Sequence, residues 1–274
     1  MTINCNGNLI NLSTPKIMGI LNVTPDSFYD GGKFKNEHRI LKHVEKMLTE
    51  GATFIDVGAY SSRPGAPFVS ETLELKRILP VVEVIMKRFP ETLLSIDTFR
   101  GAVARACVER GAAIVNDISA GLKDEALLPT VAELKAPYIM MHMRGNSKTM
   151  QKQTVYDDLL NDILFFFSER LATAKALGIK DIIIDPGFGF AKTLAQNYTL
   201  LNKLDLFKII DHPVLVGLSR KSMIYKLLEK TPEQALNGTT ALHMLALHKG
   251  AKILRVHDVK EAMECVKLQE QLEA

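Results

Sequence analysis

From Lys16 onward, short apolar runs alternate with longer stretches in which apolar residues recur at helical spacing. The runs are KIMGILNV, TFIDVGA, TLLSIDT, AAIVND, PYIMMHM, DIIIDP, PVLVGLS and KILRVHD. They are apolar through most of their length, the pattern of parallel strands covered on both faces. Between them, Ile40, Leu41, Val44, Met47 and Leu48 fall on one helical face that Gly51 closes. In SETLELKRILPVVEVIMKR, Ser70 is placed as an N-cap and Glu71 in the first turn, while Pro80 predicts a kink or a division into two pieces. The longest helical pattern, YDDLLNDILFFFSERLATAKALG, ends at Gly178. Its Phe165, Phe166 and Phe167 read first as core and second as a surface for a partner subunit. Ahead of these segments, Ile3, Leu9, Ile10 and Leu12 surround an Asn-Gly pair, which predicts a short β-hairpin.

About eight strands alternating with helices predict an α/β fold, a (β/α)8 TIM barrel with a short N-terminal β-hairpin; a doubly wound open sheet is the alternative. The 274 residues contain no Pro/Ser-rich linker or low-complexity stretch, so residues 1–274 read as a single domain. The net charge is +3 with both signs scattered, which argues against nucleic acid as a partner and fits an anionic small substrate weakly. Cys5, Cys107 and Cys265 are odd in number and form no CxxC, so neither a disulfide framework nor a zinc site is expected. The opening MTINCNGNLINL lacks the regions of a signal peptide, and no apolar run approaches the roughly 18 residues of a membrane span. The expectation is a cytoplasmic protein with reduced thiols and no membrane partner.

The polar residues at the strand ends carry the chemistry, because barrel active sites are built at the C-terminal ends of the strands. The runs end, in order, at Asn22, at Asp56 before SSRPG with Arg63, at Asp97, at Asn116-Asp117, at Met141-His142, at Asp185, at Ser219-Arg220-Lys221 and at Arg255 with His257. Any one of these fits a helix N-cap, and Asp117 reads best as one, or as a support for other groups. Eight such ends converging on one face predict a polar pocket. No GxSxG, catalytic-Cys or HExxH pattern supplies a nucleophile, and GFGF after Asp-Pro is no dinucleotide fingerprint. Asp and Asn groups suit an amino-heterocycle whose ring edge presents paired N–H donors. Arg63, Arg255 and His257 read as an anion clamp, and Asn22 offers an amide oxygen to Mg²⁺ in an oxygen-rich shell. Ser222 opens a helix, where an anion such as a carboxylate is received.

GILNVTPDSFYDGG, DVGAYSSRPGA, SIDTFR, IVNDISAG, MMHMRG, DPGFGF, GLSRKSMI and RVHDV together closely resemble the dihydropteroate synthase family, and they span nearly the whole chain in family order. The resemblance implies a barrel, commonly a homodimer, that joins 4-aminobenzoate to a dihydropterin methyl diphosphate and releases pyrophosphate. It implies Asn22 at the Mg²⁺–diphosphate, with Arg63, Arg255 and His257 binding the departing diphosphate. Asp97, Asn116, Asp185 and Lys221 would read the pterin, with Met141 packing nearby and Asp56 in support. Gly217, Ser219, Ser222 and Ser62 would border the substrates, with Phe28, Pro64, Phe188 and Phe190 as walls. The residues after Asn22 resemble a cover loop, with Gly31 and Gly32 permitting movement. Family members typically carry Thr at the position of Ser62, often Ser at Tyr29 and Gly at Ala191. A methyltransferase barrel for methyltetrahydrofolate and a non-catalytic pterin-binding scaffold are the rivals. The first has no need of the Asn22 loop, SRKS and RVHDV together, and the second predicts loss of Asn22, Lys221, Arg255 or His257.

Overall fold

The computed structural model describes residues 1–23, 33–60, 68–146 and 148–273, of which 33–36 are described as helix only. Strands β1 (Thr2–Cys5) and β2 (Asn8–Asn11) pair antiparallel as the expected hairpin, turning at Asn6 and Gly7, both at positive φ. The strands that follow are β3 (Lys16–Asn22), β4 (Phe54–Gly58), β5 (Leu93–Asp97), β6 (Ile114–Asp117), β7 (Tyr138–Met141), β8 (Ile182–Asp185), β9 (Leu215–Val216) and β10 (Ile253–Val256). They form one eight-stranded sheet in the order β8-β7-β6-β5-β4-β3-β10-β9 with parallel pairing. The two edges meet where Ile184 bridges Val214 and its N–H donates to Pro213 O at 2.9 Å, which closes the barrel.

Helices α1 (Lys33–Thr49), α2 (Glu71–Arg88), α3 (Gly101–Val108), α4 (Leu127–Leu134), α5 (Leu159–Ala176), α6 (Leu194–Asn202), α7 (Ser222–Tyr225), α8 (Leu236–His248) and α9 (Val259–Glu273) lie between and after the strands. Ser70 caps α2 by accepting Leu73 N–H at 3.3 Å, and the helix continues through Pro80 as one element. Asp158 caps α5 by accepting Leu160 and Asn161 N–H, both at 3.0 Å. The phenylalanine run of α5 divides: Phe167 is fully buried, Phe166 is half-buried and Phe165 is 66% exposed. Successive helical residues are about 100° apart, so three in a row cannot share one face.

Strand side chains alternate in and out with a period of two. Ile55, Val57, Leu94, Ile96, Val115 and Ile184 point outward into the large core under the helices. Met18, Phe54, Ile114, Ile139, Ile183, Leu215 and Ile253 form a separate inner cluster with Ile3, Cys5 and Leu12. Six of those inner residues, Phe54, Ile114, Leu215, Ile253 and (one residue on) Ile139 and Ile183, stand where their strands begin. The hairpin therefore plugs that end of the barrel, and Asn4 N–H to Asp181 Oδ2 (3.2 Å) and Asn6 Nδ2 to Gly111 O (3.1 Å) fasten it there. Among the described residues, no helix is long and apolar enough to cross a membrane.

Candidate functional site

Two residues beyond the inner apolar layer, the same inward parity brings Asp56, Ser95, Asn116, Met141, Asp185, Gly217 and Arg255 to one level of the barrel. Another step along the same faces gives Asn22, Asp97, Ser219 and His257 at the C-terminal mouth. Asp56 is fully buried and takes Arg255 Nε at 2.6 Å and Asn116 Nδ2 at 3.2 Å to each oxygen. Arg255 Nη2 reaches Asp97 Oδ2 at 3.1 Å, so one guanidinium joins two carboxylates. Burial is the largest influence on Asp97 and, with the nearby charges of Asp56, Glu74 and Asp117, pushes its carboxyl up to about 7 against the pull of Arg255. On Arg255, burial pulls downward, and Asp56, Asp97 and Asp185 more than reverse it. Among the described residues, its two carboxylate contacts use Nε and Nη2.

Across the barrel, Asp185 accepts Gly187 N–H at 2.8 Å through Oδ1, and burial raises its carboxyl although Lys221 opposes the shift. Lys221 donates to Phe188 O and lies 4.7 Å from the centre of the Phe190 ring. Burial brings Lys221 down to about 8, with Asp185 acting the other way. The Phe188 side chain is not a wall: it is fully buried in the outer core, and its carbonyl is what faces Lys221. Met141 is buried beside Met143, Met150, Ile118 and Ala191, with Phe190 against them. Gly217 is a ledge, since a Cβ built there meets nothing within 4 Å. Ser219 Oγ accepts His257 N–H at 3.2 Å, and the side chains of His257, Ser222 and Asn22 are exposed at the rim.

Parity also removes some of the strand-end residues from the pocket. Asp117 shares the outward face of Val115, and its carboxylate takes Ser119 N–H and Oγ–H (both 2.7 Å), Tyr138 O–H (2.6 Å) and Gly121 N–H (2.5 Å). It is a structural group, as its reading as a cap or support anticipates. His142 follows the outward face of Met140 and packs behind the site. Arg220 turns away with φ 52° and forms a two-point ion pair with Asp258, through Nε at 2.8 Å and Nη2 at 2.7 Å. Ala191, where the resembling family often has Gly, sits at φ 49°, a left-handed conformation that costs a residue with a Cβ roughly 1 kcal/mol. Phe28, Tyr29, Gly31, Gly32, Ser62, Arg63 and Pro64 lie outside the described residues.

Sequence reasoning passed over several supporting groups. Glu74 of α2 is fully buried, accepts Thr98 Oγ1–H at 2.7 Å and pairs with Arg100, whose Nη2 donates to Val69 O at 2.6 Å. Thr98 and Arg100 immediately follow Asp97, so this network braces the end of β5. A signal existed, because Glu74 stands at helical spacing with Ile78, Val81 and Ile85 on the apolar stripe of α2. Ser95 Oγ is buried in the barrel interior without a partner among the described residues. His243 reads as a surface or helix residue; it is on α8 but buried, with both ring nitrogens unpartnered among the described residues and its pKa lowered by burial to about 4. Among the described residues, no group of three His, Cys, Asp or Glu is placed to hold a metal. Among the described residues, the mouth is a polar pocket with two carboxylate–cation sets.

Residues 18–257 match the model of the pterin binding enzyme family. The chain is 46% identical to dihydropteroate synthase of Escherichia coli (strain K12), over 96% of this chain and 94% of that protein. The crystal structure of Yersinia pestis dihydropteroate synthase with a sulfonamide drug complex superposes with a TM-score of 0.93 at 44% identity, covering 100% of this chain and 99% of that one. Xanthomonas albilineans dihydropteroate synthase with 4-aminobenzoic acid gives a TM-score of 0.91 at 39% identity, covering 100% and 98%. Barrel, pocket and likeness over the whole chain agree: the chain belongs to the pterin binding enzymes and, within them, to the dihydropteroate synthase family.

Proposed function

We propose that this chain is a transferase that condenses 6-hydroxymethyl-7,8-dihydropterin diphosphate with 4-aminobenzoate, giving 7,8-dihydropteroate and pyrophosphate in folate biosynthesis. The observation that carries the reading is the paired arrangement at the barrel mouth: Arg255 joins Asp56 to Asp97 on one side, and Lys221 stands with Asp185 on the other. Asp185 and Asp97 accept N–H donors of the pterin, and Asn116 and Lys221 serve its oxygen and nitrogen acceptors and donors. Met141 packs on the ring. Asp56 acts by holding Arg255 and Asn116. Gly217 leaves room for the second substrate, whose carboxylate is received near Ser222, with Ser219, Ser62 and Phe190 alongside.

In the reaction, the methylene C–O bond to diphosphate breaks, the aniline nitrogen forms the new C–N bond and its proton is released. Positive charge develops on the pterin methylene, and the fixed carboxylates of Asp97 and Asp185 stabilise it. Arg63, Arg255 and His257 take the negative charge of the leaving group, His257 from the exposed rim and Arg255 from deeper in the barrel. A protein nucleophile is not required. Asn22, exposed at the end of β3, supplies one amide oxygen and no charge. That donor fits Mg²⁺ arriving with the diphosphate, a cation that keeps water and phosphate oxygens around one or two protein ligands. When bound, the metal supplies Lewis-acid stabilisation of the leaving oxygens.

The working unit of this reading is a single domain over residues 1–274, cytoplasmic, acting on small molecules and not on nucleic acid or membrane. Homodimer formation belongs to the same reading. Incubating the purified protein with both substrates and Mg²⁺ and identifying the product by mass spectrometry tests the activity. Dihydropteroate is expected; pterin bound but recovered unchanged would leave only a binding scaffold.

A further inference from the structure

The segment from Pro186 to Thr193, between β8 and α6, delivers the Phe188 carbonyl and the Phe190 ring to Lys221. It is an irregular turn, with Gly187, Gly189 and Ala191 at φ 72°, 82° and 49°. Such a turn aims carbonyls inward where no helix or sheet takes them up. Lys192 takes them: Nζ donates to Gly187 O at 3.0 Å and to Phe190 O at 3.1 Å, and lies 3.1 Å from His142 Nδ1. Nζ thus meets three hydrogen-bond partners on a residue only 4% exposed, and burial brings Lys192 down to about 7, with Asp185 acting the other way.

With Lys192 charged, the third contact requires His142 to be neutral, with its proton on Nε2. Burial, helped by the charges of Lys192 and Arg144, lowers this histidine to about 2, so the imidazole is an acceptor throughout the working range. Its ring is wedged edge-on against Phe166 at 4.9 Å and beside Tyr156 at 6.1 Å. Its backbone is part of the same clamp. His142 N–H donates to Asp185 O at 2.9 Å, and a Cβ at residue 187 would fall 2.0 Å from His142 O. Tyr156 O–H to Ala191 O (2.9 Å) and Gly189 N–H to Asn197 Oδ1 (2.7 Å) complete the fastening.

We infer that Lys192 and His142 are a buried positioning pair that holds the Pro186–Thr193 turn and thereby sets where Phe188 O and Phe190 hold Lys221 against the pterin. Neither touches substrate; both act through Lys221. The kinetic part of the inference rests on the proposed activity, while the part about the turn does not.

Three variants test it: Lys192→Met, His142→Leu and His142→Asn, the last carrying an amide oxygen close to the place of Nδ1. Hydrogen–deuterium exchange of the segment 186–193, and KM against kcat for the pterin diphosphate, are the readouts. In His142→Leu the segment should exchange about tenfold faster and the pterin KM should rise about tenfold, the factor for one lost hydrogen bond to a charged group, with kcat changed less. His142→Asn should return both close to wild type, and Lys192→Met should exceed His142→Leu. A Leu variant indistinguishable from Asn, or a folded Lys192→Met with wild-type exchange and KM, overturns the inference. Should Lys192→Met fail to fold, the two histidine variants decide alone. An inactive wild type would defeat the proposed activity instead, and the exchange comparison would still decide whether the pair holds the turn.

Discussion

Replacing Arg255 by Met removes the guanidinium that separates the fully buried Asp56 carboxylate from the partly buried Asp97 carboxylate while keeping most of its volume. Asp56 has no exposed surface, and it would face Asp97 with, among the described residues, the Asn116 amide as its remaining side-chain donor. Breaking a buried pair by removing one partner costs about 3–5 kcal/mol. At roughly 2–4 °C per kcal/mol for a chain of this size, the melting temperature should fall by about 6–20 °C. The loss has a definite pH dependence. Asp97 already stands near 7 in the folded protein, and without Arg255 its pKa rises further. A carboxyl raised above its unfolded value binds more protons folded than unfolded, so stability falls as pH rises through the folded pKa. In the wild type that fall ends near pH 7; in the variant it continues above 7. Urea unfolding at pH 6 and pH 8 should therefore show a larger deficit at pH 8, and adding Asp56→Asn should recover part of it. A variant within about 0.5 kcal/mol of wild type, or a deficit that grows as pH falls, would refute the reasoning.

Asp185→Asn should weaken pterin binding by about 2–5 kcal/mol, because it leaves Lys221 without its buried counter-charge; calorimetry showing wild-type affinity would remove Asp185 from the site. Binding that requires Asp97 ionised should strengthen as pH rises toward 7 and then level off, with protons released on binding at pH 6, seen as a buffer-dependent binding enthalpy. Two glycines should behave oppositely on replacement by Ala. Gly217→Ala should fold normally and weaken ligand binding, since its Cβ enters open space, whereas Gly187→Ala should lose folded yield, since its Cβ meets His142 O at 2.0 Å. Solubility and calorimetry on the pair distinguish these outcomes.

The barrel was legible because eight apolar runs separated by helical patterns leave few other arrangements. The site is legible as far as strand ends; strand parity decides which of those side chains face inward. Counting by twos from Phe54, Ile114, Ile183 and Ile253 leads inward to Asp56, Asn116, Asp185 and Arg255. The same count from Val115 and Met140 sends Asp117 and His142 behind the wall. Phe188 misled for a different reason: residue type suggests a side-chain wall, whereas the turn with Gly187 and Gly189 at positive φ offers its carbonyl. Lys192 gave no signal, since a lysine after an apolar turn reads as solvated until three acceptors are found around it. Glu74 was detectable in principle, as a carboxylate on an apolar helical stripe. The α5 phenylalanines were divided by helix geometry, one to the core, one to the back of His142 and one to the surface.

The most direct measurement is the release of pyrophosphate by the purified protein supplied with dihydropterin methyl diphosphate and Mg²⁺, with and without 4-aminobenzoate. The account predicts release that depends on 4-aminobenzoate and matches dihydropteroate mole for mole. Release without it at the same rate, or pterin binding with no release, would contradict the proposed condensation.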